Sequence, residues 1–237
     1  MPYKNQIKQL IEGGFYHAYN RGHNKQEVFL DAQDYKTYLY IIKKYLDPNF
    51  RETKFLPNGE AVQVPVNKPL YDKVELHAYC LMPNHFHLLL KQKTKDSMSK
   101  LLNVLGSQYS SYFNEKYKQE GSIWQGTYKA VRIRSEEQYL HVSRYIHLNP
   151  MGILGIIPHM RDYPLSKLSA YPYSSYSSFI GTTNKPIWLK PDNILHYFSS
   201  QHKKTGDSYK KFVENYIEMN DASKEKEKEL IKGAQLD

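Results

Sequence analysis

The feature that most constrains this chain is a double run, Val74 to Leu81 (VELHAYCL) and His85 to Lys91 (HFHLLLK), joined only by Met82-Pro83-Asn84. Both runs are apolar and suited to strands, and so short a connection makes them lie side by side and antiparallel. A pair this apolar has to sit inside a larger sheet with covered faces. The second run carries two histidines. Alternate side chains of a strand share a face, so His85 and His87 point one way while Phe86, Leu88 and Leu90 point the other. Two imidazoles over an apolar backing suit a divalent metal, and they equally suit a hydrogen-bonded pair without one. Spacing alone favours the second reading.

The flanking segments supply the rest of the sheet and its cover. Gly13 to Gly22 (GGFYHAYNRG) reads as an aromatic-rich strand whose polar residues are His17 and Arg21. A single histidine in such a strand reads as a structural hydrogen-bonding residue before it reads as a ligand. Tyr35, Tyr38, Leu39, Ile42 and Leu46 recur at helical spacing, so Asp31 to Leu46 is a helix with Asp31 as N-cap and Pro48 as stop. Residues 49–72 lose periodicity and form a loop or small hairpin inserted into the scaffold. Ser97 to Tyr117 is a long helix with Met98, Leu101, Leu102, Leu105 and Tyr112 inward. Gly121 to Arg134 is a loop and a strand, and Ser135-Glu136-Glu137-Gln138 is a capping box that starts a helix running to about Asn149, before Pro150.

The order strand, helix, strand, strand, helix, strand, helix is that of a ferredoxin-like α+β fold (βαββαβ): an antiparallel sheet with helices on one face, plus an extra C-terminal helix. The expected organisation is a core domain over 1–155 with the insertion at 49–72. An irregular segment, punctuated by Pro158, Pro164, Pro172 and Pro186, wraps it over 156–200. Residues 201–237 then form a short amphipathic helix (Tyr209, Phe212, Val213, Tyr216) and a charged tail, SKEKEKELIKG, expected to be a solvated helix or frayed end.

Charge narrows the class of partner. Thirty-three Lys and Arg against 24 Asp and Glu give +9, which favours a polyanion through counterion release. The chain also has 22 tyrosines, and aromatic faces among cations suit unpaired bases better than a lipid surface. The two are interleaved most densely in Trp124, Tyr128, Lys129, Arg132 and Arg134. With Arg21 and Arg144 these are the candidate nucleic-acid contacts, against a solvated cationic face and, for Trp124, a core position. The single cysteine, Cys80, rules out a disulfide within the chain and lacks the companions that thiol catalysis needs. The N-terminal stretch has no apolar signal core and no run is long enough to span a membrane, so a cytoplasmic protein is expected.

On the last predicted helix of the core, Tyr145 and Asn149 are four residues apart and stack on one face. If that face covers the histidine strand, His85, His87 and Asn149 make a three-ligand site with Tyr145 beside whatever the metal binds. Tyr109, on the long helix, is the rival tyrosine, but Phe113 stands four residues beyond it where a ligand type would be needed.

The segments MPNHFHLLL and, some sixty residues on, YIHLNP resemble the single-tyrosine HUH transposases, and within them the REP-associated tyrosine transposase branch. FYHAYNRG, GSIWQGTYK and PYSSYSSFIG are similar to segments of the same branch, so the resemblance spans roughly 14–180. It implies that His85, His87 and Asn149 hold Mg²⁺ or Mn²⁺ and that Tyr145 attacks single-stranded or hairpin DNA to give a 5′-phosphotyrosyl enzyme, as a monomer or homodimer. Met151 departs from the smaller aliphatic residue usual after Asn-Pro, which touches nothing catalytic. Two other readings are a catalytically idle hairpin-DNA-binding regulator and an HUH replication initiator or relaxase. The latter often carry a second tyrosine one turn away, where this chain has His141 and Asn149.

Overall fold

A computed structural model describes residues 10–154, 166–199, 205–219 and 221–232. The N-terminal stretch 1–9, and Pro158 and Pro164 of the expected wrapping segment, lie outside the described residues. Among the described residues six strands and eight α-helices follow one another as β1 (Phe15–Arg21), α1 (Ala32–Leu46), β2 (Arg51–Phe55), β3 (Ala61–Pro65), β4 (Val74–Met82), β5 (His85–Gln92), α2 (Ser97–Tyr117), β6 (Lys129–Ile133), α3 (Glu136–Leu148), α4 (Ser166–Ala170), α5 (Tyr176–Phe179), α6 (Asp192–Leu195), α7 (Thr205–Glu218) and α8 (Asp221–Leu230). Four strands form one sheet in the order β4-β5-β1-β6, every neighbour antiparallel, and the inserted β2 and β3 pair separately as a hairpin. This is the ferredoxin-like α+β arrangement that the element order predicts.

Register decides what shares a face. Tyr19 lies opposite His87 on β5 and Lys129 on β6, Arg21 opposite His85, and Cys80 of β4 opposite His87. Residues directly opposite one another point the same way, so the histidines share their face with His17, Tyr19 and Arg21. The other face buries Tyr16, Ala18, Leu81, Phe86, Leu88 and Leu90 against α1 and α2. Phe86 sits between Tyr38 and Trp124, with ring centroids 5.3 and 5.4 Å away. The histidine face is covered by α3 and α7, which bury Ala78, Cys80, Met82 and Leu89 with Val142, Ile146 and Val213.

Local chemistry fixes the element ends. Asp31 accepts from the amides of Gln33 and Asp34 and caps α1, and Asp34 returns the bond in a capping box. Ser135 caps α3 through the Gln138 amide, but the Gln138 side chain reaches back to the amide of Arg134, one residue beyond the usual box partner. In α2 the inner face differs from the predicted one: Tyr109 and Phe113 are buried, while Tyr112 is half-buried because its hydroxyl bonds Asp34.

The outer edge of β4 is covered. Leu81 donates its amide to the Tyr173 carbonyl at 2.9 Å, and Ser175 donates to the Tyr79 carbonyl at 3.0 Å, so residues 173–175 run along an edge otherwise open to pairing. The charged tail departs from expectation. Alternating charge predicts a solvated α8, yet Lys224 and Glu227 are buried, because Glu227 has a buried partner on α3. Among the described residues no helix is long and apolar enough to cross a membrane.

Candidate functional site

Three imidazoles meet on the α3 side of the sheet. His87 is fully buried, and its Nδ1 lies 2.9 Å from Nε2 of His17 on the neighbouring strand. The two rings stack at 5.0 Å. His85, half-buried at the start of β5, turns Nδ1 to Asn84 Oδ1 at 2.6 Å and sets its ring nearly perpendicular to that of His87, 4.9 Å away.

Tyr145 and Asn149 come down on these rings from α3. The Tyr145 ring meets His87 edge-on at 5.4 Å and His17 at 5.9 Å, within one chain. Asn149 follows the last residue of α3 in helical conformation, so the two stay one turn apart as the spacing predicts. Its amide nitrogen donates to the Tyr145 carbonyl at 2.8 Å, and its side chain lies near enough to both imidazoles to work against the lowering of their pKa.

The electrostatics keep the rings neutral. Burial lowers His85 to about 4, with Asn149 working against the shift and the Arg21 charge adding to it. Burial, followed by the neighbouring His85 and His17, lowers His87 far below the ordinary imidazole value. Neutral imidazoles are the form that ligates metals. No bond of ordinary length and direction reaches Nε2 of His87, a buried nitrogen without a partner. Such an orphan is costly unless an ion or a substrate group meets it, so the residues fit a divalent metal held by His85, His87 and Asn149. Among the described residues no group of three or more His, Cys, Asp and Glu could hold a metal ion.

The helix that presents Tyr145 is anchored on its far side. His147, fully buried, bonds the Tyr209 hydroxyl through Nδ1 and the Ser175 hydroxyl through Nε2, both at 2.8 Å. Tyr209 also meets Ser143, and Ser175 accepts from the Tyr79 amide. α3 is thereby tied to α7, to β4 and to the segment along its edge.

The predicted DNA contacts divide. Lys129 lies with Tyr19 on the site face, its ammonium 5.9 Å from the ring, and Arg21 is held by Gln125 at 2.6 Å beside His85. Arg132 and Arg134 are exposed on and just after the edge strand β6. Three residues are placed elsewhere. Arg144 is only 4% exposed: its guanidinium is bound to Glu227, donates to the Phe212 carbonyl at 2.9 Å and lies 4.2 Å from the Phe212 ring, so it is spent on holding α3 to the C-terminal helices. Trp124 packs in the core among Tyr38, Phe86 and Tyr109, and Tyr128 is buried with its hydroxyl on Ser99. Neither ring is available to stack on a base. Tyr109, the rival nucleophile, is fully buried with its hydroxyl on the Val28 carbonyl.

Sequence reasoning misses His17 as a site residue. Its only signal is a histidine on the face of an aromatic strand. What makes it part of the site is the register that sets it beside His87, and register is not written in either strand alone.

Residues 67–149 match the family model for IS200-like transposases. The fold matches a REP-associated tyrosine transposase bound to a REP hairpin, with 19% identity over 78% of this chain and 90% of that one and a TM-score of 0.50. A Deinococcus radiodurans R1 protein described as a candidate transposase aligns over 60% of this chain and 94% of its own, at 16% identity and a TM-score of 0.35. No curated protein matches the chain significantly. The resemblance to the REP-associated branch read from MPNHFHLLL and YIHLNP holds.

Proposed function

Because residues 67–149 match the family model for IS200-like transposases, we propose that this chain is a metal-dependent single-strand DNA endonuclease and strand transferase, acting through Tyr145 on hairpin-bearing repeat DNA. The observation that carries the proposal is the meeting of Tyr145 with His87 at 5.4 Å while Asn149 stands one turn on along the same helix.

The residues have separable roles. The Tyr145 hydroxyl attacks phosphorus: a P–O bond to the tyrosine forms, the P–O3′ bond breaks, and the proton lost by the phenol is matched by one gained at the 3′ oxygen. The products are a 5′-phosphotyrosyl enzyme and a free 3′-hydroxyl. One phosphodiester replaces another, so attack by a different 3′-hydroxyl rejoins strands without a high-energy cofactor. His85, His87 and Asn149 would hold Mg²⁺ or Mn²⁺, which supplies polarisation of the scissile phosphate where a phenol of ordinary pKa about 10 is a poor nucleophile. All three ligands are neutral and leave the ion's charge for the phosphate, and two imidazoles suit Mn²⁺ especially. His17 holds Nδ1 of His87 and so aims the opposite nitrogen into the site. Lys129 and Arg21 flank it as phosphate contacts, and the buried anchors of α3 favour a tyrosine that serves the histidines of its own chain.

The test uses a labelled DNA hairpin with a single-stranded foot and Mn²⁺. His85→Ala and His87→Ala are expected to lose cleavage and keep most hairpin binding, and a mixture of Tyr145→Phe with His87→Ala stays inactive because tyrosine and histidines act within one chain. Undiminished cleavage in both alanine variants would overturn the metal assignment, and activity in the mixture would overturn the single-chain one.

A further inference from the structure

The turn between β4 and β5 carries a side chain that the proposed reaction does not use. Asn84 immediately precedes His85 and reaches in two directions: Nδ2 donates to the Lys25 carbonyl at 3.1 Å, and Oδ1 lies 2.6 Å from Nδ1 of His85. The backbone of the turn is bracketed as well. The Pro83 carbonyl accepts from the amides of Val28 and Phe29 at 2.8 and 2.9 Å, and the Asn84 carbonyl accepts from the Gly22 amide at 2.8 Å. Residues 22–29 therefore cradle the turn from which the first histidine springs.

The cradle is built to close tolerances. A Cβ on Gly22 would stand 2.1 Å from the Gln26 carbonyl oxygen and 2.9 Å from the Val28 side chain, so glycine is what lets the loop fold back this closely. Asn24 and Lys25 follow with φ of 52° and 62°, in the left-handed region that a lysine rarely adopts. Such backbone persists where the surroundings over-determine it, and here it presents the Lys25 carbonyl to Asn84.

Those bonds leave no choice of proton. A backbone carbonyl only accepts, so the Asn84 atom facing Lys25 is its nitrogen and the atom facing His85 is its oxygen. That oxygen also only accepts, so the hydrogen of a neutral His85 ring sits on Nδ1 and the lone pair on Nε2. His87 differs. Its partner at Nδ1 is a second imidazole, which can give or take a proton, so that contact orients the ring without deciding its tautomer. We infer that Asn84 is a positioning residue that fixes His85 as the Nδ1–H tautomer and keeps Nε2 as its ligating atom before any metal arrives. The ligating role rests on the metal reading above, and the tautomer does not.

The experiment reads the imidazole nitrogens of the metal-free protein by nuclear magnetic resonance after isotopic labelling of histidine, with His85→Ala identifying the ring. His85 is expected to be the Nδ1–H tautomer in wild type and to lose that form in Asn84→Ala. Mn²⁺ titration followed by electron paramagnetic resonance is expected to show about 10- to 100-fold weaker binding in the same variant. Asn84→Asp keeps an acceptor at this place while giving up the donor to Lys25, so it retains the Nδ1–H form and binds Mn²⁺ no more weakly than wild type. The His87 signals stay in place in both variants, which separates a lost tautomer from a lost fold. An Nε2–H or mixed His85 ring in wild type overturns the inference, as does wild-type Mn²⁺ affinity in Asn84→Ala. If wild type takes up no Mn²⁺ but the His85 tautomer changes as stated, the tautomer assignment stands and the metal reading fails instead.

Discussion

Nε2 of His17 stands 2.9 Å from Nδ1 of His87, so the ring of the more buried candidate ligand is oriented by a neighbouring strand. With Nδ1 engaged, the other nitrogen is the one left to face a metal, and groups that hold a ligand this way commonly change affinity 10- to 100-fold when removed. His17→Ala is expected to weaken Mn²⁺ binding by about that much, and His17→Gln to recover part of it. Titration of Mn²⁺ followed by electron paramagnetic resonance checks this without any turnover. Equal affinity in wild type and His17→Ala would reduce His17 to packing.

Glu227 is the carboxylate partner of a nearly buried Arg144. Removing one member of such a pair leaves a charge in the interior and typically costs about 3–5 kcal/mol, whereas replacing both with apolar residues costs far less. Glu227→Ala is therefore expected to lower the free energy of unfolding by roughly that amount, and Arg144→Met/Glu227→Leu to recover much of it. Denaturant unfolding decides the matter. Wild-type stability in Glu227→Ala, with weakened DNA binding in Arg144→Met, would return Arg144 to the DNA surface.

Asp34 accepts from the amides of Leu30 and Asp31, from the hydroxyls of Tyr112 and Tyr117, and from the Lys116 ammonium at 2.7 Å. Burial works to raise its carboxyl pKa, but the Lys116 and Tyr117 bonds and the amide outweigh it and hold the group below the usual 3.8. A pKa depressed by folding contributes stability that is present above the unfolded value and lost as pH falls through the folded one. Asp34→Asn is expected to be destabilised by about 3 kcal/mol at pH 7, with the gap to wild type narrowing below about pH 4. Urea unfolding at both pH values checks it, and a constant gap would deny the charge its role.

The sequence made the scaffold and the tyrosine site legible because both rest on short-range spacing. His85-x-His87, Tyr145 with Asn149, and the tight connection at Met82-Pro83-Asn84 each carry their geometry locally. The rest depended on packing between distant segments. Arg144 reads as a surface cation until Glu227, 83 residues on, is brought to it. Trp124 reads as a base-stacking platform until Tyr38, Phe86 and Tyr109 close around it. The alternating charges of α8 look solvated because nothing in that helix marks Glu227 as the residue with a buried partner.

The central claim is that Tyr145 becomes covalently joined to DNA. A labelled DNA hairpin with a single-stranded foot, incubated with the protein and Mn²⁺ and digested with a protease, is expected to yield one nucleotide-bearing peptide, modified at Tyr145 and absent from Tyr145→Phe. An adduct that persists in Tyr145→Phe, or a modified peptide containing another residue, would contradict the account.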